Sequence, residues 1–181
     1  MKLKKTKMPR ACLQIKHMKK LLFLFSLIIA AGCSNAQIPT FVPPPLIPSY
    51  RILNTDSVYI TPANLKKNKP VMVIYFAPDC SHCQHLMYEL KPKMKDFKNI
   101  QVVMITFVKE LKAIQVFYRD FDLKKYPNFI VGTEYPTYKV QQYYQVRTTP
   151  YIALYNKNGK LVKTYEKVPN VDTLLAEVKK M

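Results

Sequence analysis

The chain predicts an α/β domain in which buried strands alternate with helices and one edge of the sheet is antiparallel. Three observations point there. Val71–Phe76 (VMVIYF) and Ile100–Phe107 (IQVVMITF) are near-continuous apolar runs of strand length, the pattern of strands covered on both faces. The stretch between them repeats its apolar residues at helical spacing. Towards the C-terminus, Tyr151–Tyr155 and Lys160–Glu166 flank Asn156-Lys157-Asn158-Gly159, and its Asn-Gly pair is a strong hairpin signal.

Each element follows in chain order. Lys69-Pro70 and Pro78-Asp79 bound the first strand. Ser81 to about Phe97 reads as a helix with Cys83, Leu86, Met87, Leu90 and Met94 on one face and a kink at Pro92. After the second strand, Lys109 to about Tyr118 is helical, Asp120–Pro127 is a loop and Phe129–Val131 a short strand. Thr137–Tyr144 reads as a polar-aromatic helix. Beyond the hairpin, Val171–Lys180 is an amphipathic helix with Asp172 in its first turn and Lys179 and Lys180 in its last, as the helix dipole favours. No internal repeat is visible.

A chain of 181 residues and 21.2 kDa fits one domain with a tail. Its 49% hydrophobic residues supply a core and exclude wholesale disorder. The balance of 29 Lys and Arg against 11 Asp and Glu gives a formal charge of +18. Eight of those bases fall in Met1–Gly32, which holds no acid; removing them leaves 21 against 11, or +10, with no run longer than two adjacent Lys. The charge therefore carries no nucleic-acid signature, and no nucleic-acid partner is expected.

The N-terminus reads as an address. Leu21–Ala31 is an apolar run of 11 residues behind Lys19-Lys20, too short for a bilayer core, which takes about 20. A positive stretch, a short apolar run and small residues make a secretory signal peptide over residues 1–32, with Met18 an alternative start. Ala30-Ala31-Gly32-Cys33 resembles a bacterial lipobox, whose Cys is lipidated after cleavage; its first position is Ala rather than the commoner Leu. Cleavage after Ala36 is the rival, giving a soluble periplasmic protein. Residues 33–50 hold the attachment Cys33 and a Pro-rich stretch (Pro39, Pro43, Pro44, Pro45, Pro48), expected as an extended spacer; the bland reading is an arm packed over the domain. Residues 51–181 form the folded domain.

Of four cysteines, Cys12 lies in the leader and Cys33 is the lipid candidate, leaving Cys80 and Cys83 in C-x-x-C spacing. That spacing alone is weak. Placement strengthens it, because the pair sits where a buried strand gives way to a helix. Free N–H groups and the dipole at a helix start stabilise an anion, so the Cys80 thiol should fall below the free value of about 8.5. Cys83 lies one turn in, is better shielded, and suits the resolving role.

The run Val71–Cys83 (VMVIYFAPDCSHC) resembles the strand, loop and active-site helix of the thioredoxin superfamily, and Val146–Lys160 (VRTTPYIALYNKNGK) resembles its second signature. The likeness covers most of Tyr50–Met181. It implies a thioredoxin-like fold, a central mixed sheet with helices on both faces, and an insertion from about Lys109 to Pro136 before the cis-proline motif. Such an insertion resembles that of larger secreted relatives in Bacteroidetes-type bacteria. The resemblance further implies that Pro150 is cis and faces the Cys pair, that Thr149 offers its backbone to an extended substrate, and that Cys80 and Cys83 form a redox-active disulfide. His82, as in secreted C-x-H-C oxidases and isomerases, is expected to favour the Cys80 thiolate. The implied activity is thiol-disulfide exchange on secreted or periplasmic protein cysteines, with a separate redox partner, no cofactor and a lipid anchor to the membrane. Two departures stand out. Asp79 replaces the Trp that often precedes the first Cys, and Ile74 stands where thioredoxins commonly bury an acid.

Rival readings are weaker. Cys80, His82, Cys83 and His85 crowd one helix, whereas the ligand pairs of a tetrahedral metal site usually come from separate segments, so no metal is expected. A peroxidase would need Thr-x-x-Cys where the chain has Ala77-Pro-Asp-Cys80. The remaining alternatives are a non-catalytic thioredoxin-fold binding protein with a structural disulfide and, further behind, a copper- or zinc-binding thioredoxin-like protein.

Overall fold

A computed structural model describes residues 41–181. The signal-peptide segment, Cys12 and Cys33 lie outside the described residues. Seven strands form one sheet: β1 (Ile52–Asn54), β2 (Tyr59–Ile60), β3 (Val71–Phe76), β4 (Gln101–Thr106), β5 (Phe129–Thr133), β6 (Tyr151–Tyr155) and β7 (Leu161–Tyr165), in the order β2-β1-β5-β4-β3-β6-β7. β3, β4 and β5 are mutually parallel; the remaining pairings are antiparallel. Four α-helices lie among the described residues: α1 (Ser81–Leu90), α2 (Leu111–Asp120), α3 (Lys139–Tyr144) and α4 (Val171–Val178).

Alternation along the strands sorts side chains to two cores. Met72, Ile74, Phe76, Val102, Met104, Ile152 and Leu154 meet α1, α2 and α4 on one face. Val71, Val73, Tyr75, Val103, Ile105, Ala153 and Tyr155 meet Val140 and Tyr144 of α3 on the other. Helices thus cover both faces of a mixed sheet. The insertion is a complete crossover, because α2, a 3-10 turn at Leu123–Lys125 and β5 all fall within it. Gly132 in β5 is required by close approach: a Cβ there would sit 2.6 Å from the Leu53 carbonyl oxygen.

Two expectations need correction, and one element lies outside the sequence reading. The hairpin of β1 and β2 was not foreseen, since strands of three and two residues are too short to show a period. The helix after Cys80 ends at Leu90 and continues as a 3-10 segment, Lys91–Phe97, because Pro92 cannot supply the helical hydrogen bond. The end of the Pro-rich stretch is no free spacer but a strap on the domain. The Pro45 carbonyl accepts from Leu161 N at 2.7 Å, Leu46 bridges Lys160, the Tyr143 hydroxyl donates to the Leu46 carbonyl, and Pro48 and Tyr50 are buried. Proline lacks a donor yet keeps its acceptor, and β7 uses that acceptor.

The sheet has two poles. The C-terminal ends of β3, β4 and β5, with the start of β6, make one; their opposite ends and the 156–160 turn make the other.

Candidate active site

Cys80 is the residue before α1, with φ −77° and ψ 118°, and its carbonyl accepts the Gln84 amide at 3.0 Å. The loop that delivers it from β3 is held by Cys80 N donating to the Ala77 carbonyl (3.2 Å) and Gln84 Nε2 donating to the Pro78 carbonyl (2.9 Å). Gln84 was not singled out from the sequence; it is a side chain reaching back six residues to fix this loop. On the far side, β6 begins at Tyr151, so its first neighbours Thr149 and Pro150 face the start of α1. The Thr149–Pro150 peptide is cis and the Cys80 Sγ lies 3.5 Å from the Thr149 carbonyl oxygen. The fold thus gathers Cys80, His82, Cys83, Thr149 and Pro150 at one pole.

The two sulfurs differ as their positions demand. Cys80 is half-buried and Cys83 is 2% exposed; both are free thiols. Burial pushes the Cys80 thiol up, but hydrogen bonds outweigh it. The Thr149 side chain, the Cys83 thiol and the backbone N–H groups of Cys83 and His82 bring it below the ordinary value. The Thr149 carbonyl favours the neutral thiol and works against this shift. At Cys83 burial dominates and pushes the thiol up to about 12, with the Ala77 amide opposing and the hydrogen bond to Cys80 reinforcing it. One S–H donated between the sulfurs stabilises a thiolate at Cys80 at the expense of Cys83. Among the causes acting on Cys83 there is no carboxylate.

His82 contributes to Cys80 through its amide; its ring is exposed. His85 pairs with Glu89 on the outer side of α1, Nε2 to Oε1 3.2 Å. No group of three or more His, Cys, Asp or Glu among the described residues could hold a metal ion. A groove of about 470 Å³ runs beside the pair, bounded by His82, His85 and Leu86 of α1, by Thr148–Pro150, and by the loop 166–170 after β7. The loop wall, with Val168 and Pro169, had no signal in the sequence.

Buried acid does exist at this pole, on the opposite face of the sheet. Glu134 is 1% exposed. Its carboxylate accepts from the Tyr75 hydroxyl at 2.8 Å and from the amides of Val140 at 2.7 Å and Gln141 at 3.1 Å. It follows β5 directly and precedes a second cis peptide, Tyr135–Pro136, also unforeseen.

The model of the thioredoxin-like domain matches residues 63–180, well over half of the chain. The chain belongs to the thioredoxin-like family. Solved structures agree on the fold. A secreted disulfide oxidoreductase from Mycobacterium tuberculosis superposes with TM-score 0.62 at 18% identity, covering 74% of this chain and 96% of that one. An exposed lipoprotein thioredoxin from Streptococcus pneumoniae gives 0.60 at 23% identity, covering 74% and 99%. A thiol-disulfide oxidoreductase from Bacteroides fragilis gives 0.61 at 16% identity, covering 74% and 98%. No curated protein matches the chain. In this chain Cys80-Ser81-His82-Cys83 opens α1 opposite the Thr149–Pro150 cis peptide.

Proposed function

We propose that the protein is a thiol-disulfide oxidoreductase acting on protein cysteines outside the cytoplasm. The observation that carries this is the asymmetric pair: a depressed thiol at the start of α1, beside a groove, with a buried thiol one turn behind it. In the reducing direction the Cys80 thiolate attacks one sulfur of a client disulfide, and the other client sulfur leaves as a thiolate. Cys83 then loses its proton and attacks Cys80 Sγ. The second client sulfur leaves, the client has gained two electrons, and the Cys80–Cys83 disulfide remains. Oxidation of a client dithiol is the same path reversed, and a separate redox partner resets the pair. Thr149 and Pro150 bound the groove and would align an extended client segment against Cys80.

A thiolate stabilised in the reduced form makes the disulfide more oxidising. Equilibration with glutathione should therefore place the pair above thioredoxin's potential of about −270 mV. Alkylation against pH should show Cys80 reacting with a midpoint below that of a free thiol, while Cys83 stays unmodified. His82→Ala keeps the amide, so it should move that midpoint upward by less than about one pH unit, the scale of an exposed charge acting through water. A Cys80 midpoint at the free-thiol value in the wild type would remove the basis of the assignment.

Export and anchoring are supported by the leader and the Ala30–Cys33 lipobox; two of the structural relatives are described as secreted or as an exposed lipoprotein. One acyl chain binds membranes marginally, whereas a lipoprotein carries two or three. Cys33→Ser should shift the protein from the membrane to the soluble fraction of a bacterial host. Unchanged fractionation with a mature N-terminus at Gln37 would favour the soluble periplasmic alternative.

A further inference from the structure

The pole opposite Cys80 gathers lysines that are far apart in sequence. A cleft of about 800 Å³ opens beneath the starts of β3, β4 and β5, with Lys66, Lys69, Lys95, Lys98, Lys125 and Lys179 around it and a single acid, Asp96. A second cleft of about 330 Å³ shares Lys66 and Lys69 and adds Lys67 and Lys157 from the neighbouring turn. Among the described residues, Lys66, Lys69, Lys95, Lys98 and Lys179 make no ion pair; several acids pair with other lysines, as in Lys93–Asp172, Lys91–Asp122 and Lys180–Glu177. Part of the domain's excess of cations is thus concentrated and unneutralised on one end.

The strap reaches the domain at this same end. Pro45 and Leu46 pair with Leu161 and Lys160, beside the 156–160 turn. Only 11 residues separate Pro45 from Cys33. We propose that this pole is a docking face for an anionic bilayer surface, which would turn Cys80 and its groove away from the membrane. The charges form no cradle for one small anion: the lysines are exposed and spread over two clefts and their rims. Such a distribution matches a plane of phosphate headgroups, whose pull on basic residues acts within a Debye length. The tether part of the argument rests on the lipid anchor proposed above; the charge part does not.

The test uses the processed chain purified from a bacterial host. It is mixed with vesicles of phosphatidylcholine alone, or of phosphatidylcholine with about 30% phosphatidylglycerol, and the acetylation rate of each Lys is read by mass spectrometry. On the anionic vesicles Lys66, Lys69 and Lys98 should be labelled about five-fold more slowly than on the neutral ones, while Lys109 and Lys139 at the Cys80 pole keep their rates. Sodium chloride at about 0.5 M should abolish the protection. Combining Lys66→Glu, Lys69→Glu and Lys98→Glu should abolish slowing at Lys95 and Lys179 as well, with thiol exchange unchanged. Equal rates on both vesicles would overturn the proposal. So would equal protection by soluble glycerol phosphate at matched phosphate concentration, which would make the pole a small-anion site. A missing lipid anchor shows separately, as failure to sediment with neutral vesicles, and leaves the labelling on anionic vesicles to decide.

Discussion

Cys83→Ser should accumulate mixed disulfides with client proteins through Cys80, and Cys80→Ser should trap almost none. The difference is set by thiolate supply. A thiol pushed up to about 12 presents roughly one thiolate in 10⁵ at pH 7, so Cys83 cannot compete as first attacker. Cys80 is poised by the opposite shift. Resolution by Cys83 becomes feasible once Cys80 is in the mixed disulfide. Then the hydrogen bond to Cys80 and the repulsion from its thiolate, two of the causes that hold the Cys83 proton, are gone, leaving burial opposed by the Ala77 amide and the Thr149 side chain. Non-reducing gels of both variants, expressed in an oxidising compartment, read the result. Equal trapping would overturn the division of roles. No trapping by either, with stability lost in both, would favour a structural disulfide in a binding protein.

Glu134→Ala should lower stability by about 3 kcal/mol or more and the Tm by roughly 10 °C. Removing this carboxylate strands the buried Tyr75 hydroxyl and Val140 amide and the half-buried Gln141 amide, each short of an acceptor. A buried donor left unpaired costs about 1–3 kcal/mol. Tyr75→Phe removes one hydrogen bond and leaves the two amides satisfied, so it should cost about 1 kcal/mol. Urea unfolding of both variants measures these values. A loss below about 0.5 kcal/mol for Glu134→Ala would show that water can enter and replace the carboxylate.

What the sequence disclosed was local or continuous. β3 and β4 announce themselves because every residue in each is buried, and the 156–160 turn because Asn156 and Gly159 specify it: Asn156 Oδ1 accepts from Asn158 N at 2.9 Å and Gly159 takes φ 72°. The Cys80 environment was legible for the same reason, as the start of a helix is a local property. Glu134 was not, since its hydroxyl partner lies 59 positions away and only the pairing of β3, β4 and β5 brings them together. The same holds for the lysine pole, whose members at 66–69, 95–98, 125 and 179 share no stretch of sequence. The edge hairpin escaped because it is too short to carry a period; the strap was legible only as the rival to a free spacer, since its bonds depend on an acceptor count rather than on hydrophobicity.

The strap also bears on the open margins of the sheet. An open sheet ends in two rows of unpaired backbone groups, and such rows recruit further strands. Here one margin is β2, only two residues long, with the Arg51 guanidinium 3.6 Å above the Tyr59 ring. At the other margin, the Pro45 carbonyl and Leu46 occupy the first positions of β7, and the prolines that precede them offer no amide to extend the ladder. The strap thus occupies the start of the β7 margin, and β2 offers only two residues at the other. For the proposed exchange on protein clients, a shorter open ladder leaves less edge to which a client strand could add.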